Sequence, residues 1–465
     1  MGTLRYRIYW PLVPAIAMVM IDFTIVSISA TTIQKDLGLS ETGVQWLVTG
    51  YALSTAAFVA LGGRLGDILG HRRIVRAGIV LFALSSLMCG LVPEGSYAEI
   101  WLIGFRVLQG VGGALLIPSA TVLVLNAFPT EERGKGVATF FIVAGLFTAL
   151  GPIAGSYLTE FWTWRAIFWI NVPVALLALT ELYFVKFANE TSPAKIDWAG
   201  TVLMVAGMGL TVLGIQQSTV WGWTNPATIG SIAGGIVLLL AFLRVERGVK
   251  DPLVDVKGLF SNRAFALDNV MTFLVFGPWL GVFFFGSIYF QVAVGQAPTQ
   301  AGFSILTMFI GYFIAARIGG GWMDQGGAKR PVARGFLLGT AGLIVWAQEM
   351  SNVANDNATI PGMIMTGAGF GLILSPLATD ALNRLPEAIR GQASGVNQTF
   401  RNFGSAIGVA VMGTIIAGAT DLGGAEGAAS FASAMQVAYY VAAAFMALGF
   451  LASQTMTGGK QEGMT

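Results

Sequence analysis

Apolar residues in this chain run in stretches of about 18 to 25, each long enough as a helix rising 1.5 Å per residue to cross a hydrocarbon core roughly 30 Å thick. The pattern predicts fourteen spans, near 10–31, 44–62, 74–92, 98–127, 137–159, 167–187, 198–217, 227–243, 265–290, 302–319, 331–350, 360–382, 392–419 and 431–453. An all-α integral membrane protein is the expected fold class. The first run follows Arg5 and Arg7 as a signal peptide would, but it is too long for one and many more follow. It therefore counts as a span. Trp198 to Leu243 carries no charge, and Gln216, Gln217 and the run from Trp221 to Pro226 interrupt it. Two spans joined by an external turn fit this segment, and so does a re-entrant pair that leaves twelve spans. Charge placement does not choose, because the two spans are gained or lost together.

Composition sharpens the picture. Charged residues make up 11% of 465, against roughly 25% in soluble domains, and the mean hydropathy is +0.71. A soluble enzyme is close to excluded. Lys and Arg number 26 against 24 Asp and Glu, so no broad basic field exists to hold nucleic acid. One His and one Cys remove most metal and disulfide chemistry.

Lys and Arg favour cytoplasmic loops. With fourteen spans, 21 of them fall on one side, only Lys35 and Arg165 on the other, and Arg106, Arg317 and Arg401 lie inside spans or at their ends. Both termini are expected in the cytoplasm, the chain threading the cell membrane many times. The charged stretch from Arg244 to Arg263 reads as a cytoplasmic linker. The expected organisation is a six-helix bundle over 1–187, a linker with two extra spans over 188–264, a second six-helix bundle over 265–455, and a cytoplasmic tail over 456–465.

Two loops repeat. Gly63, Asp67, Gly70 and Arg72 recur as Gly320, Asp324, Gly327 and Lys329 after the equivalent span of the second half. A solvated turn would explain either copy alone, whereas two matching copies argue for a duplicated helical bundle, as in many secondary transporters.

The motifs now become specific. IDFTIVSISA (Ile21 to Ala30), RVLQGVGGA (Arg106 to Ala114), GPIAGS (Gly151 to Ser156), TWRAIFWINVP (Thr163 to Pro173), DWAG (Asp197 to Gly200) and RGQASGVNQTFRNFGSAIGVAVMG (Arg390 to Gly413) resemble the major facilitator superfamily, in particular its fourteen-span drug:proton antiporters. The resemblance covers nearly the whole chain. It departs at Ser27, Phe147 and Ser156, and at Ile68 and His71, where basic residues are usual. It implies two six-helix bundles plus two central spans, a monomer, and no cofactor beyond protons as the coupling ion. It further implies that Gly63, Asp67, Gly70, Arg72 and Asp324 form a cytoplasmic gate, and that Gly145, Gly151, Pro152 and Gly155 seal one conformation. The alternatives are that the arginines only enforce topology and that the glycines only pack helices.

A carboxylate at bilayer depth is a functional candidate by default. Asp22 lies about 18 Å into the first span at 1.5 Å per residue. Arg106 enters from the opposite face about eight residues into the fourth span, reaching a similar depth. Asp22 is the expected proton carrier, with Arg106 and Gln109 as polar machinery around it; a static ion pair is the alternative. Glu181 and Asp380, toward the cytoplasmic ends of spans 6 and 12, and Asp268, just inside span 9, could touch a cationic substrate or proton, or simply reach interfacial water. His71 reads as a loop residue and Cys89 as a packed side chain. The expected activity is proton-coupled efflux of small hydrophobic or cationic molecules by alternating access. Export of a specific lipid, siderophore or metabolite is the alternative within transport. From another class stands a membrane sensor or lipid-modifying enzyme, for which no nucleophile–base–acid constellation is visible.

Overall fold

The computed structural model describes residues 10–127, 133–185, 195–351, 356–385, 390–417 and 424–457. Arg5, Arg7, Lys186 and Lys460 lie outside them, as does the expected tail from 458 onward. All regular structure among the described residues is helical. The long helices are α1 (Val13–Leu37), α2 (Glu41–Leu69), α3 (His71–Gly90), α4 (Ala98–Ala127), α5 (Arg133–Phe161), α6 (Asn171–Phe184), α7 (Trp198–Trp221), α8 (Pro226–Glu246), α9 (Arg263–Val292), α10 (Pro298–Gly326), α11 (Lys329–Glu349), α12 (Ile360–Asn383), α13 (Arg390–Ile416) and α14 (Gly424–Gln454).

Among the described residues, twelve of these, with the four-residue turn Ala166–Trp169 joined to α6, are long and apolar enough to cross a membrane, where the sequence pattern predicts fourteen. Helices α7 and α8 are among the twelve. Helix α11 stands outside that set, carrying Lys329, Arg330, Arg334 and Glu349 within its 21 residues; the side chains of the first half of α5 fall outside the described residues.

Two compact units divide the chain: one holds Met1–Gly209 with Ile236–Asp255, the other Leu210–Gly235 with Val256–Thr465. Their internal packing repeats. In the first, α4 packs on both α2 and α3, and α1 packs on α5; in the second, α12 packs on both α10 and α11, and α9 packs on α13. Small residues make these approaches possible, since lipid supplies no hydrophobic drive between helices and close backbone packing must do so. A side chain at Gly62 would meet the Ala114 carbonyl of α4, and one at Gly311 the Ile364 carbonyl of α12. At Gly408 of α13 it would meet the backbone of Gly277 on α9.

The repeated loops are nearly superposable in kind. Gly70 takes φ +94° and its N–H donates to Gly66 at 2.8 Å; Gly327 takes φ +81° and donates to Met323 at 2.8 Å. Left-handed φ is open to glycine without steric cost. Each glycine therefore ends one helix and allows the next to start within one or two residues.

Candidate functional site

In the first unit, polar side chains from four helices meet in an otherwise apolar interior. Asp22 of α1 is fully buried and Arg106 of α4 is 1% exposed. Arg106 Nη1 donates to Asp22 Oδ2 at 2.5 Å and to Gln109 Oε1 at 2.6 Å, and Nε donates to the Leu47 carbonyl of α2 at 2.8 Å. Gln109 Nε2 donates to Asp22 Oδ1 at 2.9 Å. Gln109 follows Arg106 by three residues, so both project from one face of α4. The guanidinium lies 4.4 Å from the Tyr51 ring centroid, a cation–π contact that shields it further.

A second layer holds the first. Asn171 Nδ2 donates to Asp22 Oδ1 at 3.3 Å and to Ser86 Oγ at 2.9 Å, and the Ser86 hydroxyl donates to the Phe168 carbonyl at 2.8 Å. The depth match between Asp22 and Arg106 was visible in the sequence. Asn171, Ser86 and Tyr51 were not singled out, although Asn171 lies in the TWRAIFWINVP motif.

Helix α5 presses its motif onto α1 beside the acid. A side chain at Gly151 would meet Thr24 Oγ1, and one at Gly155 would come within 2.8 Å of Ile25. The Thr24 hydroxyl donates to the Thr148 carbonyl at 2.9 Å, and Ser29 and Thr159 share a 2.7 Å hydrogen bond. Pro152 is buried within α5. Gly145 also lies in α5, but its surroundings, like those of the Asp324 side chain on α10, fall outside the described residues.

At the first repeated loop, Asp67 pairs with His71 at 3.3 Å, and His71 opens α3 rather than lying in a loop. The other ring nitrogen of His71 lies 3.4 Å from Ser119 Oγ. Arg72 Nη2 instead donates to the carbonyls of Leu182 at 2.9 Å and Tyr183 at 3.3 Å, and Arg76 donates to Leu182 at 3.2 Å. The reason is helix geometry: the last carbonyls of α6 lack partners within their own helix and attract cations. Gly63 meets only ordinary contact with Pro118 at 3.7 Å, and Gly320 is open; the close approach falls at Gly62.

In the second unit, Asp268 and Asp380 do not reach interfacial water; both are buried. Arg384 binds them together, its Nη2 2.6 Å from Asp380 Oδ2 and its Nε 3.4 Å from Asp268 Oδ2. Burial is tolerable because one guanidinium partly neutralises two carboxylates. Arg384 is itself held by Asn262, which donates to the Arg384 carbonyl at 2.8 Å while capping α9. Glu181 is half-buried on α6, its Oε2 without a hydrogen bond among the described residues.

A bundle built twice from one packing scheme, with charges paired in its apolar interior, is an architecture found in many membrane transporters. The chain matches the Major Facilitator Superfamily over residues 12–409 and belongs to that family. It is 30% identical over 405 residues to Multidrug resistance protein 3 of Bacillus subtilis (strain 168), covering 86% of this chain and 77% of that one. To the tetracenomycin C resistance and export protein of Streptomyces glaucescens it is 33% identical over 421 residues, covering 88% and 76%. The fold is that of the partially occluded, inward-open xylose transporter XylE from E. coli, with a TM-score of 0.66 at 13% identity over 99% of this chain and 100% of that one. The protein is thus a multi-pass membrane transporter of this superfamily, and its relatives are transporters rather than enzymes.

Proposed function

We propose that this transporter exports hydrophobic, often cationic small molecules in exchange for inward protons, by alternating access, with Asp22 as the proton carrier. The observation that carries the reading is the Asp22 environment: a fully buried carboxylate whose two oxygens are taken by Arg106, Gln109 and Asn171. Protonation of Asp22 removes the charge that holds Arg106, so proton occupancy and the packing of α1 against α4 become one equilibrium. The contact of Gly151 and Gly155 with α1 ties α5 to the same equilibrium. Names of relatives that speak of multidrug resistance and of tetracenomycin C export support drug-like cargo.

In this reading the fourteen long helices all span the membrane and both termini lie in the cytoplasm. The turn bearing Asp67, His71 and Arg72 is the cytoplasmic gate, its Arg72 bonds to the end of α6 breaking as it opens. For an uncharged substrate, one inward proton supplies roughly 2.3 kcal/mol per 100 mV, enough for about a fifty-fold gradient.

The test is dye-reported proton flux in proteoliposomes on adding a panel of hydrophobic cations and lipids, comparing wild type with Asp22→Asn. Substrate-triggered flux in the wild type that vanishes in the variant is the expected result. Normal coupling in folded Asp22→Asn removes Asp22 as carrier. If no compound moves protons through folded wild type, the drug-antiport reading falls.

A further inference from the structure

Arg401 differs from Arg106 and Arg384. Arg106 has Asp22 and Arg384 has two carboxylates, whereas the Arg401 guanidinium has no hydrogen bond or ion pair among the described residues, and its Nε is buried. It sits eleven residues after Arg390 at the start of α13, about 16 Å along the helix axis. A lipid headgroup does not reach that depth.

The side chain belongs to a face that is docked on α9, not turned to lipid. One turn before it, Asn397 Nδ2 donates to Asn269 Oδ1 at 3.2 Å and to Thr272 Oγ1 at 3.1 Å; one turn after it, the Ser405 hydroxyl donates to the Phe276 carbonyl at 3.2 Å. Between these two satisfied positions, Arg401 lies 4.5 Å from the Phe276 ring centroid, half-buried. Beyond Phe276 an aromatic wall begins: Trp279 is 5.6 Å from Tyr312, 5.9 Å from Phe309 and 5.0 Å from Phe370 between ring centroids.

A cation kept at bilayer depth without a counter-ion is costly to the fold and marks a pathway or binding position. Guanidinium forks match carboxylates in two parallel hydrogen bonds, and aromatic faces accept flat rings edge-on or offset. We propose that Arg401 receives an acidic oxygen of the cargo, a carboxylate or acidic phenol carried on a flat aromatic body that rests against Trp279, Phe309 and Tyr312. The proposal rests on the exporter reading and narrows its cargo: an acid, or a molecule bearing both charges, fits here where a bare cation is repelled.

The experiment is equilibrium dialysis of the full-length protein in nanodiscs, with empty nanodiscs as the blank, using 2-naphthoate and the neutral, equal-sized 2-naphthamide. Wild type is expected to bind the carboxylate about tenfold or more tightly than the amide, as loss of a charged hydrogen-bonding partner would dictate. Arg401→Gln should abolish that preference while still binding the amide, and Arg401→Lys should keep part of it. Equal binding of both probes by wild type, a comparison that needs no variant to fold, overturns the proposal, as does an undiminished preference in Arg401→Gln. Proton-flux measurements on the same preparation separate the two readings. Preferential naphthoate binding with no proton flux driven by naphthoate or by any compound of the panel sinks the antiport reading alone, and cation-driven flux with equal probe binding sinks the Arg401 assignment alone.

Discussion

Thr24 donates its hydroxyl to the Thr148 carbonyl at 2.9 Å, joining α1 to α5 two residues from the buried acid Asp22. The helix that carries GPIAGS is therefore fastened directly beside Asp22, and its glycines determine how closely it lies. Replacing Gly151 by Ala or Val would drive a side chain into Thr24, and α5 would have to retreat. A loss of about 1–3 kcal/mol is expected from such overpacking, read as a lowered melting temperature in detergent, together with impaired proton coupling. Gly104→Ala is the control: nothing lies within 4 Å of the added carbon, and melting should be unchanged or slightly raised.

Asn171 touches Asp22 and Ser86 at once. Asn171→Ala removes both bonds and leaves the Ser86 hydroxyl its bond to Phe168. The expected stability loss is about 1–2 kcal/mol. If Asn171 orients the carboxylate, the variant also slows substrate-driven proton flux, whereas Ser86→Ala does so less. Unaltered flux in Asn171→Ala would show that Arg106 and Gln109 position Asp22 unaided.

Arg384 keeps two buried carboxylates together. Arg384→Gln should cost about 3–5 kcal/mol, because an uncompensated charge pair stays buried. Adding Asp380→Asn removes one of the opposing charges and should recover part of the loss. Thermal unfolding of the two single variants and the double variant forms a cycle whose interaction energy checks this; additive effects would mean that the cluster is not coupled.

Gly70 and Gly327 occupy matching left-handed turns in the two repeats. Alanine at either position should cost about 1–3 kcal/mol through backbone strain alone. Comparable losses in melting temperature are expected for the two variants. A neutral Gly327→Ala would show that the second turn can relax, and that its likeness to the first does not extend to the strain it bears.

The apolar periodicity, the duplicated glycine–aspartate loops and the matching depths of Asp22 and Arg106 were all legible before any coordinates. Each of these depends on distance along a helix axis, which residue number fixes at 1.5 Å per step. The span at α11 was harder to read, since it mixes charge into its apolar run, and among the described residues twelve helices meet the length and apolarity of a crossing segment.

Partners were a different matter. Residue numbers placed Asp268 and Asp380 near helix ends and made water their natural neighbour; the fold instead buries both and brings Arg384 across to them. Asp67 and Arg72, grouped in one gate by the sequence, take separate partners: Arg72 serves the free carbonyls at the end of α6, while His71 takes the acid. Asn171 and Ser86 are single polar residues in apolar runs, indistinguishable in sequence from the many that bond to their own helix. The sequence by itself determined where along its helix each charge lies and that the loop motif occurs twice. Only the tertiary structure decided which charges meet, because that depends on the rotation of each helix about its axis and on contacts between residues more than a hundred positions apart, such as Asp268 with Arg384 and Asp22 with Asn171.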